Sequence, residues 1–155
     1  MPTTNQIVDY CVLNLCEGGG SVSVLKLHKI LYYLQAWNLA FGRGQLFPSQ
    51  FQAWVHGPVS RPVFDRFKDT KMMYSLVTME DITDEFDPNI ILSDDQRHIQ
   101  AVLDVYAPLS GGQLEEMTHN EKPWVSARKD VEPAQRSTNV IDEGVMTEYY
   151  KARLQ

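Results

Sequence analysis

Between residues 24 and 41 this chain has almost no polar face. Leu25, Leu27, Ile30, Leu31, Tyr32, Tyr33, Leu34, Ala36, Trp37, Leu39, Ala40 and Phe41 fall on every side of the helix that their spacing predicts. Only Lys26, His28, Lys29, Gln35 and Asn38 stand between them. A helix that is apolar all round must be enclosed by other elements. It is not a membrane span, because the polar residues interrupt it throughout and no apolar run approaches the ~20 residues a bilayer needs. The rest of the chain must therefore wrap this helix, and 155 residues suffice for one domain, 1–155, with its own core.

The punctuation around the central helix predicts the other elements. Thr3 and Gln6 form a capping-box pattern ahead of Ile7, Val8, Cys11, Val12 and Leu15, so a first helix is expected over 4–16, stopped by Gly18-Gly19-Gly20. Ser23 caps the central helix and Gly42 ends it. Residues 43 to 56, with Phe47, Phe51 and Trp54, fit a short helix or an extended segment equally well. Gly57-Pro58 redirects the chain, and Ser60 with Pro62 starts a helix to about Lys68. Tyr74–Thr78 and Asn89–Leu92 read as a small peripheral β-hairpin, over about 74–92, around an acidic excursion. Ser93-Asp94-Asp95-Gln96 and Ser110-Gly111-Gly112-Gln113 repeat the capping-box pattern before two further helices. A short helix follows Pro123, and an amphipathic one covers about 142–154. The expected fold is mainly α, a compact multi-helix bundle around residues 24–41.

Charge and thiols narrow the function classes. The formal charge of -6 disfavours nucleic acid as a partner, since binding phosphate requires Lys and Arg to replace condensed counterions. Residues 1–71 carry seven Lys/Arg against four Asp/Glu, and residues 72–155 carry seven against sixteen, so the surface is expected to be two-sided. Glu80, Asp81, Asp84, Glu85 and Asp87 are the densest acidic stretch. The two cysteines, Cys11 and Cys16, lie about 140° apart on a helix and do not bridge each other. No zinc spacing, nucleotide-binding loop or nucleophile elbow is present in the sequence, and no cofactor is expected. With neither a secretory leader pattern nor a membrane span, the expected location is cytoplasmic.

Three separated motifs remain. The first is Lys26-Leu27-x-Lys29-x-Leu31-Tyr32-Tyr33-x-Gln35-x-Trp37. The second is Ala53-Trp54-x-x-Gly57-Pro58-Val59, and the third is Thr118-His119-x-x-x-Pro123-Trp124 with Arg128. Their order and spacing resemble the Panacea domain, whose members include GepA-like phage-associated proteins and SocA-type antitoxins. The resemblance implies a small, mainly helical antitoxin-type module that neutralises a cognate toxin, encoded by an adjacent gene, through direct contact. A SocA-type member instead acts as an adaptor that delivers its toxin to the ClpXP protease. The residues it marks for partner binding or as family motif are Lys26, Lys29, Tyr32, Tyr33, Trp54, Gly57, Pro58, Val59, Thr118, His119, Pro123 and Trp124. Two positions depart from the common pattern: His28 stands where Gln is frequent and His56 where Tyr is frequent. Members can carry added DNA-binding or other regions that tune their role; no such accessory segment is expected here, and autoregulation is not implied.

Competing chemical readings attach to some of these residues. Thr118-His119 with Glu121 offers an imidazole and a carboxylate, the parts of a general base, so a small hydrolase-like or nucleotide-acting enzyme using His119 and His56 is the alternative to a binding module. Lys26 and Lys29 suit either a phosphate at the start of the central helix or simple solvation of its one polar stripe. The tryptophans serve either as contact anchors or as core.

Overall fold

Thr3 opens α1 (Thr4–Leu15) through the anticipated box: its hydroxyl accepts the Gln6 amide N–H, and the Gln6 side chain accepts the Thr3 N–H. The computed structural model describes residues 1–154. Gly18 and Gly19 turn the chain at φ 75° and 91°, angles that side chains with a Cβ avoid. β1 (Val22–Ser23) then leads into α2 (Val24–Ala40), whose Lys26 N–H is capped by the Ser23 hydroxyl. Fourteen of the 17 residues of α2 are buried, so the helix is enclosed as its composition demands.

The segment after α2 is extended and ends in β2 (Phe51–Trp54), which pairs antiparallel with β3 (Gly57–Ser60). Phe51 and Ala53 point inward while Gln52 and Trp54 are half-buried, the period-two alternation that favours a strand over a helix. The second edge of β2 is covered from far along the chain. Ala53 donates to the Asn139 carbonyl at 2.8 Å, and Ile141 donates to the Phe51 carbonyl at 2.8 Å. α3 (Arg61–Phe67) follows directly, with Pro62 in its first turn.

β4 (Leu76–Val77) is present, but the hairpin over 74–92 is not formed. β4 pairs with β1, Val22 opposite Val77, and residues 88–90 make a 3₁₀ turn capped by Asp87. Pro88 has no N–H for a ladder, and Ile91 is drawn into the core at 1% exposure. α4 (Ser93–Tyr106) also begins differently from its motif. Leu92 is the N-cap with no side-chain bond; Ser93 lies inside the first turn, and the Gln96 amide reaches back to the Ile91 carbonyl instead of closing a box. α5 (Gly111–His119) does use its Ser110–Gln113 box. α6 (Lys122–Ala127) and α7 (Glu143–Lys151) complete the chain, and α2 packs against α7, α4, α5 and β3.

Inside this bundle the polar residues of α2 are structural. Gln35 is fully buried and makes a four-bond clasp on the segment that follows its own helix. Its Oε1 accepts from the Leu46 and Phe47 amides, and its Nε2 donates to the Phe47 and Ser49 carbonyls. Backbone that would otherwise be buried without partners is satisfied from the centre of the fold.

Candidate functional site

The three sequence motifs meet around the β2–β3 turn. Lys29, a full helix turn into α2, is 0% exposed, and its ammonium donates to the Pro58 carbonyl at 3.0 Å. This overturns both earlier readings of that side chain. A lysine enclosed against β3 neither meets phosphate nor forms a solvated stripe. Burial lowers its pKa to about 7, with the Glu115 carboxylate opposing the shift. Beside it, Gly57 adopts φ 101°, and a Cβ there would lie 2.7 Å from Lys29 Cε and 2.9 Å from Thr118 Oγ1. Glycine is required at that position by both backbone angle and space.

Below the turn, the Ser60 amide donates to His28 Nδ1 at 3.4 Å, while His28 Nε2 is buried without a partner. Burial, then the neighbouring Lys29, hold the imidazole pKa well below its ordinary value, so His28 is neutral. Thr118, also 0% exposed, donates to the Glu115 carbonyl at 2.8 Å within α5.

The third motif bolts the α5–α6 corner onto the same hairpin. Trp124 Nε1 donates to the Trp54 carbonyl at 2.8 Å, and its ring stacks on His119 with centroids 4.1 Å apart. Arg128 lies 5.1 Å from the Trp124 ring and donates to the Ala53 carbonyl at 2.7 Å. Its other terminal nitrogen serves the carbonyls of Glu132, Pro133 and Gln135, fixing the loop that returns toward β2. Pro123 is buried in the same corner, and Val59 is fully enclosed in β3.

What the hairpin leaves outside is small and specific. Trp54 is half-buried with its ring 4.9 Å from Phe64, and the His56 side chain is 47% exposed at the turn. His56 Nδ1 lies 3.2 Å from the Glu115 carboxylate. Val125, next to Trp124 in the chain, is 47% exposed.

Tyr32 and Tyr33 belong to a different cluster. Tyr33 donates to Glu121 Oε1 at 2.7 Å and Tyr150 donates to the same oxygen at 2.8 Å, while the Tyr32 hydroxyl lies 3.1 Å from that of Tyr150. Burial raises the Glu121 pKa and the two hydroxyl donors pull it back. Its carboxylate is thus turned to tyrosines, leaving His119 Nε2 buried and without a partner, so the pair required for a general base at His119 is not assembled. Lys26 is half-buried and donates to the Ala107 carbonyl at 2.6 Å, tying the start of α2 to the end of α4. Of the twelve marked residues, only Lys26, Trp54 and His119 keep appreciable contact with solvent.

Residues outside the twelve marked for partner binding do much of the assembly. Gln35, Glu121 and Tyr150 hold partners 11 to 118 positions away, and only the unusual burial of α2 hinted that its polar residues would need acceptors. Among the described residues, no group of three or more His, Cys, Asp or Glu side chains is placed to hold a metal ion. Grooves of about 840 Å³ along α7 and about 450 Å³ beside Gln52 and Arg61 lie away from the imidazoles of His56 and His119. No helix among the described residues is long and apolar enough to cross a membrane.

The family model described as Antitoxin SocA-like, Panacea domain, matches residues 27–125, more than half of the chain. That span holds the first motif from Leu27 onward, the whole of the second, and the third through Trp124. No curated protein and no solved structure matches the chain.

Proposed function

Since the chain belongs to the SocA-like antitoxin family defined by the Panacea domain, we propose that it neutralises a cognate toxin, encoded beside it, by direct protein contact. The observation that carries this reading is how the motif residues are used. Lys29, Gly57, Thr118, Trp124 and Arg128 are turned inward and hold one turn from behind. A turn fixed this way offers shape to a partner without an ordering cost at the moment of binding. The face it offers is Trp54, Val55 and His56 with the α5–α6 corner at His119 and Val125. A half-exposed aromatic beside polar and apolar neighbours is the composition of an interface centre.

Read as an interaction module, the protein works without making or breaking a bond. Lys29 and the hydrogen bonds of Trp124 and Arg128 set the turn. Burial of the partner against Trp54 and Val125 supplies the affinity, and His56 with Glu115 supplies direction. The cytoplasm is the compartment in which such a pair would meet.

Co-expression tests the proposal. The product of the adjacent gene should arrest growth when expressed alone, and this chain should restore growth. His56→Glu together with Val125→Asp, both at exposed positions, should abolish rescue while leaving the melting temperature unchanged. Full rescue by the double variant would move the contact face elsewhere, and failure of the wild-type chain to rescue or to bind would count against neutralisation altogether. Toxin half-life then separates two mechanisms. A toxin that persists in an inert complex marks direct inhibition, whereas one that disappears only in cells with ClpXP marks delivery to that protease.

A further inference from the structure

We infer that the partner-contact face runs on from the β2–β3 turn over a second turn, residues 72–75, and into the groove beside it, which takes an uncharged apolar side chain of the cognate toxin. This rests on the neutralisation reading and fixes the chemistry of the toxin segment that docks there. The argument from structure starts at the N-terminus of α2. The first amides of a helix have no carbonyl of their own helix to meet. Here the Val24 N–H donates to the Ser75 carbonyl at 3.0 Å and the Leu25 N–H to the Met73 carbonyl at 2.8 Å. The turn is also closed on itself, with the Ser75 N–H donating to the Met72 carbonyl at 3.0 Å and the Met72 N–H to the Ser75 hydroxyl at 2.9 Å. Four bonds fix its geometry, yet it holds Met72 and Tyr74 outward at 80% and 71% exposure while Met73 is half-buried between them.

The two turns are neighbours. The rings of His56 and Tyr74 lie 6.5 Å apart, and Trp54, on the same hairpin as His56, meets Phe64 at 4.9 Å. Phe64 in turn walls a groove of about 280 Å³ whose other apolar lining is Val24, Phe67, Met72 and Met73. Trp54, Phe64, Met72 and Tyr74 are all exposed or half-buried, so they make one apolar surface with a recess in it. Surfaces of that kind mark contact sites. The methionines suit the rim of a recess, since their unbranched side chains adapt to what enters.

Charge selects the occupant. The two cations lining the groove are already matched within the chain: Lys68 lies 3.5 Å from Asp65, while Lys71 lies 3.5 Å from Asp81 and donates to the Leu76 carbonyl at 2.9 Å. An acidic insert would have to displace Asp65 or Asp81, and a basic one would meet the lysines themselves. Neither sign of charge finds a free partner there. The groove is complementary to an uncharged apolar side chain, which leaves water against Phe64, Phe67 and Met73 without separating an ion pair.

Titration calorimetry of the purified adjacent-gene product into the intact chain tests this. Met72→Asp, Met72→Lys and Tyr74→Ala should each weaken binding about tenfold or more at unchanged melting temperature, since both side chains are exposed. Leu92→Asp is the control. Leu92 is exposed at the start of α4, which the Arg43–Asp95 ion pair ties to the opposite end of α2, and this variant should bind as the wild type does. Without any variant, the methyl signals of Met72 and Met73 should shift on complex formation while that of Met146, buried on the inner face of α7, stays in place. Wild-type binding that Met72→Asp and Tyr74→Ala leave intact would overturn the inference, as would equal loss in Leu92→Asp; loss in His56→Glu with Val125→Asp would then keep the neutralisation reading standing. Tighter binding by Met72→Lys would mean an acidic insert and overturn it too. No binding by the wild-type chain would remove both readings together.

Discussion

Lys29 carries the sharpest chemical consequence at the scale of single residues. Its pKa falls from the ordinary 10.5 to about 7 through burial, so the folded state prefers the neutral amine while the unfolded chain stays protonated up to 10.5. Folding therefore releases a proton between those values, and stability should rise with pH from 7 upward, by at most about 1.4 kcal/mol per pH unit. Below pH 7 this contribution is flat. The buried histidines His28 and His98, also held below their ordinary 6.5, act only under that value, and the thiol of Cys11, pushed up by burial, acts with opposite sign only from about 9. Urea midpoints measured from pH 7 to 8.5 should thus slope upward in the wild type and lose that slope in Lys29→Met. An unchanged slope would place the titration elsewhere. Gly57→Ala is the companion experiment. Its Cβ would meet Lys29 Cε at 2.7 Å with φ at 101°, so the loss of stability should be about 2 kcal/mol or more by denaturant titration. Sequence alone marked both residues as important but not why. A charge within an apolar helix is visible in the sequence, whereas its acceptor, the Pro58 carbonyl 29 positions on, is set by tertiary packing.

Helices were the legible elements, because their signals are local. Thr3 with Gln6 and Ser110 with Gln113 cap where their spacing requires, and α2 ends at the Gly42 turn. Ser93 did not cap: Leu92 takes the terminal position, and the Gln96 side chain bonds the Ile91 carbonyl instead. Strand pairing was the illegible part. Val22 meets Val77, and Phe51 and Ala53 bond to residues 139 to 141, partners that no local pattern specifies. Gln35 predicts an element-scale effect. Replacing it with Leu removes four hydrogen bonds and leaves the Leu46 and Phe47 amides and the Ser49 carbonyl without that partner, at a cost of about 2 to 4 kcal/mol. Amide exchange should quicken at Leu46 and Phe47 first, before α2 itself opens. Uniform quickening across the chain would mean that the clasp is not a local one.

For the whole molecule, the family motif is a supporting frame. Most of its residues are enclosed, and they place the β2–β3 turn and the α5–α6 corner against each other. The candidate site was legible as a set of positions that belong together, since the three motifs do converge around Lys29, Gly57 and Trp124. Its two-part character was not. Tyr32 and Tyr33 share α2 with Lys29 but turn to Glu121 and Tyr150, because successive residues of a helix face different neighbours. The net charge of -6 acts at this scale as well, favouring a partner with basic surface and faster encounter at low salt.

The central claim is that neutralisation proceeds by stoichiometric contact at the exposed skin of that frame. Titration calorimetry of the purified adjacent-gene product into this chain measures it directly. A saturable complex is predicted, weakened about tenfold or more in His56→Glu with Val125→Asp at unchanged melting temperature. Absence of binding, or equal binding by the double variant, would contradict it.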